Sequence, residues 1–121
     1  MAYINNRPLN EQVVSSYLPD LSTASSAYAV SPFRGKIVRA YSVLQATIST
    51  SDATWTMEIN GTAVTGVSVI VTASGSAAGD VDTGTPTGAN YVNEGDTVEW
   101  ISAGESSSTC DTMFYAVIDR D

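Results

Sequence analysis

The most regular strand pattern in this chain is the run Thr54-Trp55-Thr56-Met57-Glu58-Ile59-Asn60-Gly61. Its tryptophan, methionine and isoleucine recur at every second position, which is the spacing of a strand with one buried face. A shift of one residue in the strand register would expose all three side chains to water, so the register is well specified. The Asn-Gly pair is typical of a type I′ turn, because both residues tolerate positive φ. The run therefore predicts a hairpin whose second strand starts at Thr62 and bulges at Gly66.

Short apolar runs separated by turn residues extend on both sides of this hairpin. The predicted strands cover residues 13–18, 27–30, 36–48, 54–60, 62–72, 79–83, 97–102 and 111–120. Turn signals recur about every 8–12 residues, and helical periodicity is absent over any useful length. The pattern predicts an all-β fold, an antiparallel β-sandwich of the jelly-roll type with about eight short strands. An immunoglobulin-like sandwich is the second interpretation, because it shares the strand number and spacing.

The chain divides into a short extended N-terminal arm, residues 1–12, and one jelly-roll domain, residues 13–121. The arm contains Asn5-Asn6-Arg7-Pro8, which resists both helix and central strand because proline supplies no backbone N–H. Two interpretations of the arm stay open. It is either a disordered terminus or a segment that becomes ordered against a partner. In the second case the apolar anchors are Tyr3, Ile4 and Leu9.

Charge is distributed very unevenly along the sequence. Residues 40–119 hold ten carboxylates and no lysine or arginine, and the whole chain has no histidine and a net charge of −8. Such a chain repels phosphate backbones, so nucleic acid is not an expected partner. No apolar run approaches the length of a membrane span, and residues 1–8 lack the apolar segment of a secretory signal. We therefore expect a soluble protein made in a cytoplasm, with no membrane partner, unless a leader was removed.

Catalytic and metal-binding patterns are weak. Without histidine there is no side chain that titrates near neutral pH, and no serine or cysteine lies in a nucleophile motif. We therefore predict no enzyme activity, no catalytic residue and no cofactor. Asp80-Val81-Asp82 has the alternating acids of some calcium loops but lacks their further ligands, so a solvated loop is favoured and no metal site is predicted. Cys110 is expected to be a small buried hydrophobe.

Aromatic and basic residues supply the remaining binding candidates. Trp55 and Trp100 lie at inward positions of alternating strands, where core packing is favoured over sugar stacking. Tyr91, beside a loop, is the best candidate for an exposed ring. Arg34 and Lys36 share strand parity, whereas Lys36 and Arg39 do not. Arg34 and Lys36 either balance local charge or contact an acidic patch of a partner or neighbouring subunit.

Several strand-and-turn segments together resemble a known family. They are Tyr17-Leu18-Pro19-Asp20-Leu21-Ser22-Thr23-Ala24-Ser25-Ser26-Ala27-Tyr28, Pro32 with Gly35-Lys36-Ile37-Val38, Ile59-Asn60-Gly61-Thr62-Ala63-Val64, and Val92-Asn93-Glu94-Gly95-Asp96-Thr97-Val98. These segments resemble the small jelly-roll capsid decoration proteins of tailed bacteriophages, also called cement or head-fibre proteins. The similarity covers roughly residues 13–119 and leaves the first dozen residues outside.

The resemblance implies a structural protein of the virion without enzyme activity. Such proteins are made in the host cytoplasm and attach to the capsid exterior, commonly as homotrimers that clamp adjoining major capsid proteins and stabilise the shell. No motif of the family marks binding positions. From the residues themselves we expect capsid or subunit contacts at Tyr3, Ile4, Arg7, Leu9, Arg34 and Lys36.

Two further functions stay open at this point. The first is a carbohydrate- or receptor-binding β-sandwich module, such as a phage fibre tip domain, which exposed loop aromatics would favour. The second is an exported bacterial surface β-sandwich, which requires a cleaved leader.

Overall fold

The computed structural model describes residues 10–120, and these residues form nine strands and no helix long and apolar enough to cross a membrane. The strands are β1 (Glu11–Leu18), β2 (Ser25–Val30), β3 (Gly35–Leu44), β4 (Ala53–Ile59), β5 (Thr62–Val71), β6 (Val81–Gly84), β7 (Tyr91–Val92), β8 (Thr97–Ser102) and β9 (Thr112–Arg120).

The strands form two antiparallel sheets that pack face to face. In sheet A the order is β1-β9-β3-β6, and the two-residue β7 pairs with β3 beside β6. In sheet B the order is β2-β8-β4-β5. The chain changes sheet at six of its eight connections, all except β4–β5 and β6–β7. These crossovers confirm the predicted β-sandwich of the jelly-roll type.

The core lies between the sheets and is built around three aromatic rings. Phe114 of sheet A meets the ring of Trp55 edge-on at 5.2 Å between centroids and stacks on Trp100 at 6.0 Å. All three are fully buried. The indole N–H of Trp55 donates to the hydroxyl of buried Ser42 at 3.0 Å, so a core hydrogen bond also joins the two sheets. The predicted core role of both tryptophans is confirmed.

The β4–β5 hairpin forms as the sequence predicts. Asn60 and Gly61 have φ of 50° and 83°, as a type I′ turn requires. The Asn60 side chain also accepts a hydrogen bond from the backbone N–H of Thr97, which ties the turn to β8. Between the pairs Thr56–Ser68 and Glu58–Ala63, four residues of β5 lie opposite one residue of β4, and Gly66, with φ of 90°, lies in this bulge.

Most strand bounds differ from the prediction by no more than two residues. β1 and β2 each start two residues earlier than predicted, at Glu11 and Ser25, and β6 starts two residues later, at Val81. The largest difference is in β3, which ends at Leu44 instead of residue 48, where its pairing with β9 ends. β7 was not predicted, since a two-residue strand carries no periodicity.

A bulge in β3 also changes which side chains face inward. Val38 is an extra residue, because Ile37 pairs with Ile118 and Arg39 already pairs with Val117. The bulge reverses the alternation, so Ile37 is buried while Arg39 points outward.

Candidate functional site: an end cleft and the outer face of sheet A

One end of the sandwich carries an open cleft with a volume of about 530 Å³. The lining residues are Pro32, Phe33, Arg34, Asn93, Glu94 and Arg120. We call this feature the end cleft. It lies where the β2–β3 loop, the β7–β8 loop and the last residue of β9 meet.

Backbone hydrogen bonds hold the two loops of the end cleft together. The N–H of Ser31 donates to the carbonyl of Asp96 at 2.8 Å, and the N–H of Gly95 donates back to Ser31 at 2.7 Å. The Asp96 carboxylate accepts the N–H of Asn93 at 2.8 Å. This bond, reinforced by the Asn60 side chain, lowers the pKa of Asp96 below its ordinary value. The turn that presents Asn93 and Glu94 is thereby fixed.

Planar polar groups surround an aromatic ring in the end cleft. The guanidinium carbon of Arg120 lies 5.4 Å from the ring centre of half-buried Phe33, within cation–π distance. Arg34 and Glu94 also line the cleft and are exposed. Guanidinium, carboxylate and amide groups each form paired hydrogen bonds with two adjacent oxygens of a ligand. The arrangement therefore suits a polar ligand with one apolar face.

The structure brings together two of the predicted contact residues. Arg34 lines the end cleft, and Lys36 follows it on β3, paired with Asp119. Asp119 of β9 also pairs with Glu11 of β1. The start of β1 therefore lies at the same end of sheet A as Lys36, with β9 between them. The remaining predicted contacts, Tyr3, Ile4, Arg7 and Leu9, lie outside the described residues.

The prediction that Lys36 and Arg39 lie on opposite faces of β3 is wrong. Because Val38 is an extra residue in the strand, the side chains of Lys36 and Arg39 both point to the outer face of sheet A. Arg39 forms an ion pair with Glu11 at 2.9 Å across β9. This carboxylate, together with the Tyr41 hydroxyl, raises the pKa of Arg39.

Beyond these charges the outer face of sheet A is aromatic and aliphatic. Residues that pair across antiparallel strands point to the same side, so the pairing places seven side chains together. They are Val13, Tyr17, Tyr41, Val43, Val81, Met113 and Tyr115. We call them the tyrosine face. The hydroxyl of Tyr17 donates to the Asp111 carboxylate at 3.0 Å, which raises the pKa of Tyr17.

The outer face of sheet B differs in its charge. Its two central strands place Glu58 directly opposite Glu99, with Ala63 and Tyr28 as their next partners across the sheet. Its edge strands expose the apolar side chains of Tyr28, Val30 and Ile70. Strands β2, β4, β5 and β8 contain no lysine or arginine. We call this surface the acidic face.

The other predicted candidates are placed as follows. Tyr91 is 44% exposed, as predicted, and Cys110 is buried, as predicted. Asp80 precedes β6 and accepts the N–H of Ala77, while partial burial and the charge of Asp80 raise the pKa of Asp82. Among residues 10–120 no three His, Cys, Asp or Glu side chains are grouped to hold a metal ion.

Sequence reasoning missed Phe33, Asn93, Glu94 and Arg120 as site residues. The turn at residues 92–96 was visible, but its pairing with the β2–β3 loop depends on contacts between distant parts of the chain. The tyrosine face left a clearer signal. Met113, Tyr115 and Val117 make the second side of β9 apolar, although a strand needs only one apolar side to join a core.

No protein-family model matches the sequence, and no curated protein matches it either. Solved structures do share the fold. The catalytic unit of the GH87 α-1,3-glucanase from Streptomyces thermodiastaticus strain HF3-3 matches 92% of this chain, with 15% identity and a TM-score of 0.53. This chain spans 26% of that unit.

Two smaller domains are similar over most of their own length. CBM35 from Cellvibrio japonicus Abf62 has 14% identity and a TM-score of 0.50, with 84% of this chain and 74% of that one covered. The CBM36-1 domain of a multidomain xylanase from the hindgut metagenome of Trinervitermes trinervoides has 10% identity and a TM-score of 0.50. There the coverage is 88% of this chain and 96% of that domain. At these identities the likeness shows the β-sandwich fold.

Proposed function

We propose that this chain is a non-catalytic binding module that takes carbohydrate in its end cleft. The observation that carries this proposal is that planar hydrogen-bonding groups of Arg34, Asn93, Glu94 and Arg120 line the same cleft as the ring of Phe33. A sugar ring has the matching chemistry, because its rim carries adjacent hydroxyls and its faces carry C–H groups. The hydroxyls pair with the planar groups, and a C–H face covers the apolar ring.

The size and rigidity of the end cleft support the same proposal. Small-ligand sites commonly measure about 300–1,000 Å³ and combine apolar surface with a few convergent polar groups. The end cleft falls within that range at about 530 Å³. Its loops are fixed by backbone hydrogen bonds to Ser31 and by the Asp96 carboxylate, so little ordering is needed on binding.

The fold comparisons support this choice of ligand class. CBM35 and CBM36-1, as carbohydrate-binding modules, share the two-sheet architecture with this chain over most of their length. The glucanase and the xylanase also suggest polymers for a first screen, α-1,3-glucan and xylan.

Native gel electrophoresis in the presence of soluble polysaccharides tests the proposal. We expect at least one polymer to retard the wild-type protein, and Arg34→Ala and Glu94→Ala to abolish the retardation. Arg39→Ala and Glu58→Ala are the matched controls outside the end cleft and should migrate like wild type. Equal thermal melting of all variants excludes unfolding. Retardation that survives both cleft substitutions would contradict the proposed site.

A second candidate function is capsid decoration, and one observation favours it. Arg34, Lys36 and the start of β1 lie at the same end of the molecule, so the predicted contact residues of the arm and of β3 can reach one partner surface. In this role the chain is a homotrimer on the outside of a phage shell, bound to the major capsid protein. The cationic side chains would contact an acidic patch of that protein.

Co-sedimentation with purified phage capsids separates the two candidates. A capsid-bound protein should lose binding on deletion of residues 2–9 or in the double variant Arg34→Glu/Lys36→Glu. The deletion stops before Glu11 because that residue already belongs to β1 and pairs with Arg39. Wild-type protein that stays in the supernatant at every capsid concentration would rule out decoration of the capsids used.

A further inference from the structure

The turn of the β4–β5 hairpin contains a chemically reactive pair. Asn60-Gly61 is the single asparagine–glycine step in the sequence. Both residues are exposed, and a Cβ added at Gly61 would meet no atom within 4 Å beyond its chain neighbours. Because glycine has no Cβ, its backbone nitrogen can approach the side-chain carbonyl carbon of the preceding asparagine with little crowding. The hairpin turn is therefore a place where the chain can react with itself.

The Asn60 amide is held by the first residue of β8. Its oxygen accepts the backbone N–H of Thr97 at 2.9 Å, and the backbone N–H of Asn60 donates to the carbonyl of Thr97 at 2.9 Å. A donor on a carbonyl oxygen stabilises the negative charge that forms there when a nucleophile attacks the carbon. The N–H of Thr97 therefore favours attack on the Asn60 side chain.

We propose that Asn60 is a site of spontaneous deamidation in the folded protein. The backbone nitrogen of Gly61 bonds to the side-chain carbonyl carbon of Asn60, and the bond from that carbon to the amide nitrogen breaks. Ammonia leaves, with the proton that the Gly61 nitrogen has lost. Water then opens the resulting succinimide ring at either of its carbonyl groups, which leaves aspartate or isoaspartate. Neither step requires an oxidant or a reductant.

Either product changes the support of the end cleft. The Asn60 side chain lowers the pKa of the Asp96 carboxylate, so a carboxylate in place of the amide sets two like charges beside each other. Asp96 in turn accepts the N–H of Asn93, which lines the end cleft together with Glu94. The β7–β8 turn should therefore loosen as the protein ages. The loss of ligand binding that follows rests on the proposed function, whereas the deamidation itself does not.

Mass spectrometry of the full chain after incubation in mildly alkaline buffer tests the proposal, because base removes the proton from the attacking nitrogen. Proteolysis at aspartate and glutamate separates Asn60 from Asn90 and Asn93, since Asp80 and Asp82 lie between them. We expect most of Asn60 to be deamidated while Asn90 and Asn93 stay intact, because tyrosine and glutamate follow them. Labelling by protein isoaspartate methyltransferase identifies the isoaspartate product.

Gly61→Asn is the matched variant for the chemistry. Asparagine tolerates the φ of 83° at this position, and its Cβ enters open space, so the turn should persist while Asn60 reacts more slowly. The same incubation in urea separates the fold from the local sequence. The folded chain should react at least as fast as the unfolded one. An Asn60 that reacts only in urea, or no faster than Asn93 in the folded chain, would overturn the proposal.

Asn60→Asp tests the consequence for the end cleft. The variant should melt at a lower temperature than wild type, and the loss should shrink in high salt, because salt screens the repulsion from Asp96. It should also bind carbohydrate more weakly than wild type. A variant that melts and binds like wild type would overturn the link to the end cleft. Wild-type protein that binds no carbohydrate would overturn the proposed function, whereas the deamidation is read from mass alone.

Discussion

The two outer faces of this sandwich both expose apolar side chains but differ in charge, whereas its two inner faces are alike. Both sheets send large apolar side chains inward, and Trp55, Trp100 and Phe114 from opposite sheets meet in one core. Outward, sheet A carries the tyrosine face and sheet B carries the acidic face. Folding requires only the inner alternation, because that is where apolar surface leaves water. The difference between the outer faces is therefore not required for folding, and we attribute it to the function of the protein.

The acidic face even carries a cost. Glu58 and Glu99 stand directly opposite each other, and like charges in that position destabilise a sheet. On the outer face of sheet A, by contrast, Glu11 forms an ion pair with Arg39.

The largest effect on stability is expected when an inward-facing residue of β9 is replaced and compared with its outward-facing neighbour. Phe114→Ala removes the ring that contacts both tryptophans and should cost about 3–5 kcal/mol of unfolding free energy. Tyr115→Ala, one residue further and facing outward, should cost about 1 kcal/mol. Urea denaturation of both variants measures the difference. Equal losses would show that the tyrosine face is part of the core.

The second-largest effect on stability is expected from substitution of Gly35, at the start of β3. A Cβ at Gly35 would run into the backbone of Asp119, so Gly35→Ala must push β3 and β9 apart beside the end cleft. We expect a loss of about 1–3 kcal/mol by urea denaturation. Gly88→Ala is the control, because a Cβ there meets Thr65 only at 3.6 Å. A harmless Gly35→Ala would mean that this end of sheet A is loosely joined.

The loop that leads from β1 in sheet A to β2 in sheet B depends on one carboxylate. Asp20 accepts hydrogen bonds from Ser22, Thr23 and the backbone of Cys110, and the Ser22 hydroxyl is the main cause of its lowered pKa. The folded state therefore binds fewer protons than the unfolded state, and the stabilisation is lost as pH falls through and below the ordinary value of 3.8. Asp20→Ala should cost about 1–2 kcal/mol at pH 7 and flatten the acid limb of the stability curve.

Asp82 serves as a control for Asp20, because its pKa is shifted in the opposite direction. Burial and the charge of Asp80 raise its pKa, so its ionised form is disfavoured in the folded state above the ordinary value. Asp82→Asn should therefore increase the melting temperature at pH 7 and have no effect well below pH 3.8. A lower melting temperature at pH 7 would contradict this assignment.

The smallest expected effect concerns the acidic face itself. Glu58→Lys turns a repulsive cross-strand pair with Glu99 into an attractive one and should stabilise the protein by about 0.2–1 kcal/mol. The double variant Glu58→Lys/Glu99→Lys restores repulsion and should lose that gain. Thermal melting at low and high salt checks both, since salt should shrink each effect. A gain that is independent of salt would point to packing instead of charge.

Much of the fold followed from local sequence signals. The alternation of residues 54–59 and the Asn60-Gly61 turn fixed a hairpin that the structure reproduces, including the bulge at Gly66. The β3 bulge at Val38 was not predictable, because it appears only in the register with β9. The same limit applies to the end cleft, where Gly35 pairs with Arg120, 85 positions later in the sequence. Sequence patterns predict which side of a strand is buried, whereas the composition of a site depends on which strands are neighbours.

Heteronuclear NMR titration with soluble xylan and α-1,3-glucan fragments tests the central claim most directly, because it maps binding residue by residue. The account predicts that one of these ligands shifts the amide signals of residues 33–34, 93–94 and 120, and leaves those of Glu58 and Glu99 unchanged. Saturating amounts of either ligand that shift no signal, or that shift the acidic face instead of the end cleft, would contradict it.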